Sequence, residues 1–243
     1  HGILALNLIS SPGAGKTSLL ERTLTDLASE FRMAVIEGDL QTDNDARRVA
    51  ATGAKAVQIN TDGGCHLDSN LVMEALGAFD LNEIDILFIE NVGNLVCPVE
   101  FDCGEDAKIA LLSVTEGDDK PEKYPLLFNR ASAMVLNKID LLPYVDFDVE
   151  VAARHARHLN ADLALFEVSC RTGEGLEKWY SWLRQAAKAK RALEHPVFGI
   201  IRSKKASRIS RGFFCINDLC VTYGRARRRH GYRQAAAGGV EGA

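Results

Sequence analysis

The segment that most constrains the fold is a Gly-rich loop, Ser-Ser-Pro-Gly-Ala-Gly-Lys-Thr at residues 10–17, which lies between an apolar run and a helical pattern. Residues 3–9 read as a strand, and residues 18–28 have the spacing of a helix. A strand, a Gly-rich loop and a helix in this order indicate a P-loop, whose backbone N–H groups surround phosphate oxygens. Ser10 stands where the usual motif has its first glycine, so the opening turn has less conformational freedom.

The P-loop residues have expected roles toward a bound nucleotide. We expect Lys16 to contact the β- and γ-phosphates and the Thr17 hydroxyl to bind Mg²⁺. Because Gly-Lys-Thr seldom follows an ordinary Gly/Ser turn before a helix, the loop is interpreted as a phosphate site. Its predicted nucleotide-binding residues are Gly13, Ala14, Gly15, Lys16, Thr17 and Ser18.

A second motif, Asn-Lys-Ile-Asp at residues 137–140, predicts which base is bound. It ends the apolar run 133–136, so a parallel strand would deliver Asn137, Lys138 and Asp140 to the ligand edge of a sheet. Asp140 is placed to accept hydrogen bonds from the N1–H and 2-amino groups of guanine. Adenine has neither donor there, and a site built for such groups rejects an analogue that lacks them. The two motifs together predict GTP.

A third segment, Ser169-Cys170-Arg171, follows the strand-like run 164–168. Many GTPases place a loop here whose backbone N–H meets guanine O6, so we include Ser169 and Cys170 in the predicted nucleotide site. The alternative is that Ser-x-x-Thr-Gly forms an ordinary turn.

Acidic residues follow two further strand-like runs, residues 33–36 and 84–89. A carboxylate at the end of a strand beside the P-loop can hold Mg²⁺ or one of its waters. We therefore predict Asp39 and Glu90 as Mg²⁺ ligands in addition to the P-loop threonine. The alternatives are helix capping in the segment after Asp39 and a plain strand-ending turn at Glu90.

The same segments carry the predicted catalytic residues, which are Lys16, Asp39 and Glu90. Gly93, three residues after Glu90, would allow a backbone N–H to approach the γ-phosphate. No glutamine is placed to orient an attacking water, so we expect slow intrinsic hydrolysis.

The fold class follows from the alternation of short apolar runs with helical patterns. Because strands of this kind are apolar throughout, we expect an α/β fold with a mostly parallel sheet covered by helices on both faces. Helical patterns cover residues 67–79, 149–159 and 175–193. The predicted strands are residues 3–9, 33–36, 54–59, 84–89, 109–114, 133–136 and 163–168.

Charge divides the 243 residues into two regions. Residues 1–193 carry 19 Lys/Arg against 30 Asp/Glu, whereas residues 194–243 carry 10 against 3. We predict a P-loop domain over 1–193 and a basic, poorly structured tail over 194–243. Its Arg run lacks interleaved aromatic residues, which favours a solvated tail over contact with nucleic acid or a membrane surface.

Composition predicts a cytoplasmic protein. No run of about 18 apolar residues and no signal-peptide pattern is present, so we expect no membrane association. Its six cysteines are then expected to be reduced thiols or metal ligands rather than disulfides. Because the chain begins at His1, close to the first strand, we expect it to lack its natural N-terminus.

A candidate metal site combines thiols with an imidazole. Cys65 and His66 are adjacent in a Gly-rich loop, and Cys97 lies seven residues after Glu90. Soft sulfur and imidazole suit Zn²⁺ or Ni²⁺, and three ligands would leave a position for water or a second protomer. The alternative is that these cysteines are small hydrophobic residues. Cys103, Cys170, Cys215 and Cys220 lack neighbouring histidines and are interpreted as structural.

Six segments closely resemble the HypB family, GTPases for nickel insertion into [NiFe]-hydrogenase. The resemblance extends over about residues 2–193 and is highly specific. Outside it, the basic tail resembles nothing known in the family, and residues 1–243 do not include the His-rich N-terminal extension that HypB proteins often carry. The matching segments are residues 7–17, 37–39 with Thr42 and Asp45, 64–68, 88–98, 113–121 and 137–144.

The resemblance implies a P-loop NTPase of the signal-recognition-particle/MinD class that forms a homodimer when GTP binds. It implies a metal site of Cys65, His66 and Cys97 at the dimer interface, with Ni²⁺ or Zn²⁺ as the metal and Mg²⁺ accompanying GTP. A HypA-type zinc or nickel protein and, through it, the hydrogenase large subunit are the implied partners. Two alternatives remain open: a urease-accessory nickel GTPase, and a metal-buffering module that binds nucleotide without significant turnover.

Overall fold

A computed structural model describes residues 1–39, 44–61, 63–194, 213–216 and 219–222, with backbone only at 39, 44–47, 194 and the last two stretches. Its main element is a seven-stranded sheet of order β3-β2-β4-β1-β5-β6-β7, and every neighbouring pair is parallel. The strands are β1 Leu4–Ser10, β2 Met33–Asp39, β3 Lys55–Asn60, β4 Ile86–Glu90, β5 Ala107–Ser113, β6 Ala133–Asn137 and β7 Ala164–Glu167.

Helices connect these strands, as parallel pairing requires. Two short 3₁₀ helices cover Leu81–Glu83 and Ile139–Tyr144. None of the described helices is long and apolar enough to cross a membrane. The α-helices are α1 Lys16–Asp26, α2 Asn44–Ala51, α3 Ser69–Leu76, α4 Cys97–Glu100, α5 Lys120–Lys123, α6 Pro125–Arg130, α7 Val149–Leu159 and α8 Leu176–Glu194.

The predicted fold class is confirmed. All seven apolar runs form strands, and the helical patterns correspond to α1, α3, α7 and α8. The two faces of the sheet are covered by different helices. Side chains of α1 and α8 pack on one face with Leu6, Leu8 and Phe88, whereas α3, α6 and α7 pack on the other. The central strands are therefore buried on both faces, which explains their apolar composition.

Helix α8 is fixed to α1 by its aromatic residues. Trp179 is fully buried, and its indole Nε1 donates to Thr23 Oγ1 at 3.1 Å. The ring of Trp179 stacks on Trp182, and the hydroxyl of Tyr180 donates to Asp26 Oδ2 at 2.8 Å. The 3-4 spacing of apolar residues in this helix therefore corresponds to its packed face.

The described part of the C-terminal region contains two short strands that the sequence analysis did not predict. They are β8 Phe213–Ile216 and β9 Leu219–Thr222, which pair antiparallel. The Arg run and the Gly-rich end of the predicted tail lie outside the described residues, as does Thr42, and so do the side chains of Asp39 and Asp45. The domain division at residue 193 stays a prediction.

At the amino end of the sheet, the carboxylate of Asp85 joins the segment before β4 to the segment before β2 and to α8. Asp85, just before β4, accepts hydrogen bonds from the Arg32 guanidinium at 2.7 Å and from the Arg32 backbone N–H at 2.9 Å. Arg191 of α8 forms an ion pair with the same carboxylate at 2.7 Å. The Arg32 side chain, more than any other group, lowers the pKa of Asp85 to about 2.

We predict that Asp85→Asn destabilises the fold in a pH-dependent manner. Because the pKa of Asp85 is lower in the folded chain than the ~3.9 of an unfolded chain, its stabilising effect is present above pH ~4 and is lost as pH falls toward ~2. At neutral pH we expect the free energy of unfolding to fall by about 2 kcal/mol. Denaturant unfolding over a pH series measures this difference.

A control for this prediction is Glu83→Gln, which removes the exposed ion pair with Lys55. An exposed pair of this kind contributes at most about 1 kcal/mol, so the control should unfold nearly as the parent does. A loss in Asp85→Asn that is equally large near pH ~2 and at neutral pH would contradict the assignment.

Candidate nucleotide and metal sites

Both predicted sites lie at the carboxyl edge of the sheet. The P-loop follows β1, Glu90 ends β4, and Asn137 ends β6. Strand β1 is the point at which the strand order changes direction, since β4 lies on one side of it and β5 on the other. In open α/β sheets, ligands bind in the crevice at such a point.

The P-loop has the backbone of a phosphate-binding turn. Gly13 and Gly15 have φ angles of 77° and 104°, which side-chain-bearing residues rarely adopt. Gly15 precedes the first residue of α1, so the helix N-terminus faces the loop. Lys16 Nζ donates to Ser10 Oγ at 3.0 Å, so Ser10, at the position of the usual first glycine, holds the lysine across the loop.

Asn137 and Lys138, at the end of β6, form hydrogen bonds with the P-loop. Asn137 Nδ2 donates to the carbonyl oxygen of Ala14 at 3.1 Å, and Lys138 Nζ donates to that of Gly13 at 2.8 Å. A Cβ on Gly15 would lie 2.4 Å from Asn137 Nδ2, so this contact requires glycine. Lys138 itself has a φ of 65°, the one positive value among the described non-glycine residues, and such strain is typical of functional sites.

The residues predicted to recognise guanine lie together. The Ser169 hydroxyl donates to Asp140 Oδ1 at 2.6 Å and accepts the Thr172 N–H at 3.1 Å, so it holds the carboxylate and the following turn. The Cys170 N–H, predicted to meet guanine O6, donates to Asn137 Oδ1 at 3.2 Å. Cys170 therefore supports the asparagine in this structure. Burial raises the pKa of its thiol to about 12.

The opposite end of the crevice carries the predicted Mg²⁺ ligands. The Thr17 hydroxyl donates to Glu90 Oε1 at 2.9 Å. Glu37 was not predicted as a site residue, but it pairs in register with Glu90 across β2 and β4. Both side chains are almost fully buried, at 2% and 4% exposure. Asp39 ends β2 on the same edge, although its side chain lies outside the described part of the chain.

The phosphate cavity has a volume of about 450 Å³ and includes Lys16, Thr17, Glu37 and Glu90 in its lining. Gly93, predicted to approach the γ-phosphate, packs directly against the P-loop. A Cβ on Gly93 would lie 2.9 Å from Pro12 Cγ and 3.1 Å from Pro12 Cα. The loop after β4 and the P-loop are therefore in contact, as the prediction requires.

Glu116 is a further residue that sequence analysis missed. Its carboxylate accepts the Ser11 hydroxyl at 2.9 Å and the Ser113 backbone N–H at 3.3 Å. Lys120 forms an ion pair with the same carboxylate at 3.8 Å. The acidic segment after β5 thus supports the P-loop, and its place in the family-like segment 113–121 was a signal that could have indicated it.

Two of the predicted soft-metal ligands converge in a loop. Cys65 Sγ and His66 Nδ1 are 3.5 Å apart, so the loop places adjacent side chains on one side. A hydrogen bond with the Cys97 thiol raises the pKa of Cys65. The rings of His66 and Phe101 stack with centroids 3.6 Å apart, which joins this loop to the segment after α4.

The three predicted ligands do not form a closed coordination shell. Among the described residues, no group of three or more His, Cys, Asp or Glu side chains is arranged to hold a metal ion. Cys103 is buried, and burial raises the pKa of its thiol to about 12, which fits a structural residue. The side chains of Cys215 and Cys220 lie outside the described residues. The ligand set stays a prediction.

Comparison with known proteins agrees with this geometry. The profile of the family described as "CobW/HypB/UreG, nucleotide-binding domain" matches residues 4–167. The hydrogenase maturation factor HypB of Azotobacter vinelandii is 57% identical over 183 residues, which cover 75% of this chain and 60% of that protein. The crystal structure of HypB from Helicobacter pylori in complex with nickel superposes with a TM-score of 0.74 and 38% identity, covering 78% of this chain and 89% of that one.

This chain belongs to the HypB branch of that family. It spans about three fifths of the length of the Azotobacter vinelandii relative. Signal recognition particle 54 kDa protein from Aeropyrum pernix, solved with GDP, is 10% identical with a TM-score of 0.53; it covers 80% of this chain and 50% of that one. At that identity the likeness concerns the fold alone, which is a P-loop NTPase fold.

We predict that Ser169→Ala weakens GTP binding in this HypB-family chain. The variant removes the hydroxyl that holds Asp140 and the turn at Thr172. Loss of one such hydrogen bond costs about 1 kcal/mol, which corresponds to a roughly fivefold weaker affinity. Titration with fluorescent GTP measures the change, with Ser181→Ala on α8 as the matched control. Equal affinities of parent and Ser169→Ala would contradict the orienting role.

Proposed function

We propose that this chain is a GTP-hydrolysing metallochaperone that delivers nickel during maturation of a [NiFe]-hydrogenase. One observation supports the proposal: the P-loop, the residues predicted to recognise guanine, and the loop with Cys65 and His66 lie at the same edge of one sheet. The chain's membership of the HypB branch supports it. The alternatives are a urease-accessory role and metal buffering without turnover.

In this proposal, Asp140 selects guanine and the P-loop holds the phosphates. Lys16 exchanges its hydrogen bond with Ser10 for one with a phosphate oxygen, because a cation gains more from an anionic acceptor than from a hydroxyl. Oxygen atoms of Thr17, Glu37 and Glu90 fit Mg²⁺, a hard cation that prefers oxygen ligands. When bound, Mg²⁺ neutralises charge on the β- and γ-phosphate oxygens.

Asp39 remains a proposed member of the Mg²⁺ site, because it ends β2 two residues beyond Glu37. Gly93 is proposed to offer its backbone N–H to the γ-phosphate, since it packs on the P-loop. No side chain described near the phosphate cavity is a glutamine. This composition supports slow intrinsic hydrolysis, with Lys16, Asp39 and Glu90 as the catalytic residues.

Nickel is the proposed cargo, with zinc as the alternative ion. Cys65, His66 and Cys97 provide two thiols and an imidazole, which suit either metal. Since the described residues of one chain show no group of three such side chains arranged around an ion, we propose that a second protomer or water completes the site. The proposed dimer forms when GTP binds. A HypA-type metal protein and, indirectly, the hydrogenase large subunit are the proposed partners, and the cytoplasm is the proposed location.

We predict that Asp140→Asn changes nucleotide preference from GTP to xanthosine triphosphate. The variant replaces an acceptor with an amide that can donate to the 2-carbonyl of xanthine. Loss of two charge-assisted hydrogen bonds should weaken GTP binding by about 100-fold or more. Competition titrations with GTP, xanthosine triphosphate and ATP measure the preference. Equal GTP and ATP affinities in the parent chain would refute the assignment of the base site.

Single-turnover hydrolysis distinguishes an enzyme from a buffering module. The parent should convert bound GTP to GDP and phosphate slowly, whereas Lys16→Ala should not, because it lacks the cation that contacts the phosphates. Equal rates of phosphate release from the parent and from Lys16→Ala would favour the buffering module.

We predict that Cys65, His66 and Cys97 bind one metal ion. Replacing any one should weaken Ni²⁺ or Zn²⁺ binding by at least about 100-fold. Even mutation of a residue that only hydrogen-bonds to a metal ligand typically lowers metal affinity by about 10- to 100-fold. GTP affinity should stay near that of the parent. Metal titration of untagged protein measures the loss, with the exposed histidine variant His158→Ala as the matched control. If the metal content is unchanged in a Cys65→Ser, Cys97→Ser double variant, both cysteines are structural residues rather than metal ligands.

A further inference from the structure

The residue after the candidate metal ligands is held from three directions. Leu67 directly follows Cys65 and His66 and is fully buried. Its backbone N–H donates to Asn91 Oδ1 at 2.9 Å, and its carbonyl oxygen accepts the Cys103 thiol at 3.2 Å. Its side chain lies over Gly38 of β2. We call the loop that carries Cys65 and His66 the metal-ligand loop. Its position therefore depends on groups outside the loop.

Asn91 connects this leucine to the nucleotide crevice. It directly follows Glu90 and is 1% exposed. Its Oδ1 accepts a second hydrogen bond, from the Val92 N–H at 3.0 Å, and its Nδ2 donates to Asn7 Oδ1 on β1 at 3.2 Å. One side-chain amide thus joins β1, the segment that leads to Gly93, and the backbone of the metal-ligand loop.

Gly38 provides the second connection. It lies between Glu37 and Asp39, and a Cβ at this position would lie 2.7 Å from Leu67 Cγ. Since the strand order is β3-β2-β4, the segment that leaves β3 must cross the end of β2 to reach Asn91 at the end of β4. The leucine crosses where only a glycine leaves room for it. Both acidic strand ends of the predicted Mg²⁺ site are therefore in contact with Leu67 or with its hydrogen-bond partner.

These contacts provide a mechanical connection between the two sites. Gly93 packs on Pro12 of the P-loop, so a nucleotide that displaces Gly93 also displaces the short segment that includes Asn91. The Asn91 amide is enclosed and accepts two backbone N–H groups, so it cannot rotate alone without leaving buried donors unpaired. Movement of this segment would therefore be passed to the Leu67 backbone.

We propose that Asn91 is a positioning residue that transmits the nucleotide state to the metal-ligand loop through Leu67. Asn91 contributes to the lining of the phosphate cavity, but its side-chain amide bonds protein groups, so it acts by placing the backbone that carries Cys65 and His66. The inference rests on the proposed function, because it assigns a regulatory contact to the proposed nucleotide and metal sites.

Hydrogen exchange of the full chain tests the connection without any metal. With GDP and with a non-hydrolysable GTP analogue, amide exchange should differ at Leu67 and Val92, the two donors to Asn91, as well as in the P-loop. Exchange at Leu67 that is identical in both states, while the P-loop responds, would overturn the proposal. This measurement on the parent decides the question even if a variant does not fold.

Variants separate the hydrogen bond from packing. Asn91→Leu keeps the branching at Cγ but removes the acceptor, so the nucleotide-dependent difference at Leu67 should be lost although GTP still binds. Asn160→Leu, which removes a side-chain amide bonded to Ala131 far from both sites, is the matched control. A full difference at Leu67 in Asn91→Leu would show that the signal takes another route.

Nickel titration then measures the functional consequence. In the parent, Ni²⁺ affinity should differ between GDP and the GTP analogue by about fivefold or more, and Ni²⁺ should change the analogue affinity by the same factor. In Asn91→Leu the two Ni²⁺ affinities should become equal. A parent that binds no Ni²⁺ would refute the proposed function, whereas the exchange data would still decide the Asn91 contact. If the ratio of the Ni²⁺ affinities with GDP and with the GTP analogue is the same in Asn91→Leu as in the parent, the transmitting role is refuted.

Discussion

The nucleotide end of the molecule depends on one buried side-chain amide, that of Asn137. Its nitrogen donates to Ala14 of the P-loop, and its oxygen accepts the backbone N–H groups of Lys138 and Cys170. Because the amide is buried, breaking any of these bonds would leave a polar group unpaired. The end of β6, which leads to Asp140, the residue predicted to recognise guanine, is thereby fixed to the P-loop. In the proposed function, the same contact would therefore set both the base site and the phosphate site.

A second buried amide repeats this arrangement on the other side of β1. The oxygen of Asn91 also accepts two backbone N–H groups, and its nitrogen also donates to a neighbouring segment, at Asn7. Asn137 joins the P-loop to the base loop, whereas Asn91 joins the end of β4 to the metal-ligand loop. An amide suits both positions because it is neutral and offers an acceptor and donors within one planar group. A buried carboxylate or ammonium would require a counter-charge.

The sequence predicted the elements of this fold better than the contacts between them. Apolar runs and helical spacing are local properties, so all seven strands and the principal helices were predictable. The P-loop and the 137–140 motif were predictable because their chemistry lies within a few consecutive residues. The pairing of Glu37 with Glu90 depends on the register of β2 against β4. The support of Ser11 by Glu116 joins residues 105 positions apart, and no local pattern encodes that distance.

Two glycines of the site are likewise explained by contacts with residues distant in the sequence. From sequence, Gly15 is explained by the approach of phosphate to the loop, but the Asn137 amide already occupies the space of its missing Cβ. Gly38 has no local explanation, because its φ is not positive and its neighbour in space, Leu67, comes from another connection of the sheet. In both positions the missing side chain admits a residue from a different strand end. The two glycines thus allow two pairs of segments, four in all, to meet at one edge, so that the predicted nucleotide residues and the loop with Cys65 and His66 lie at connected buried contacts.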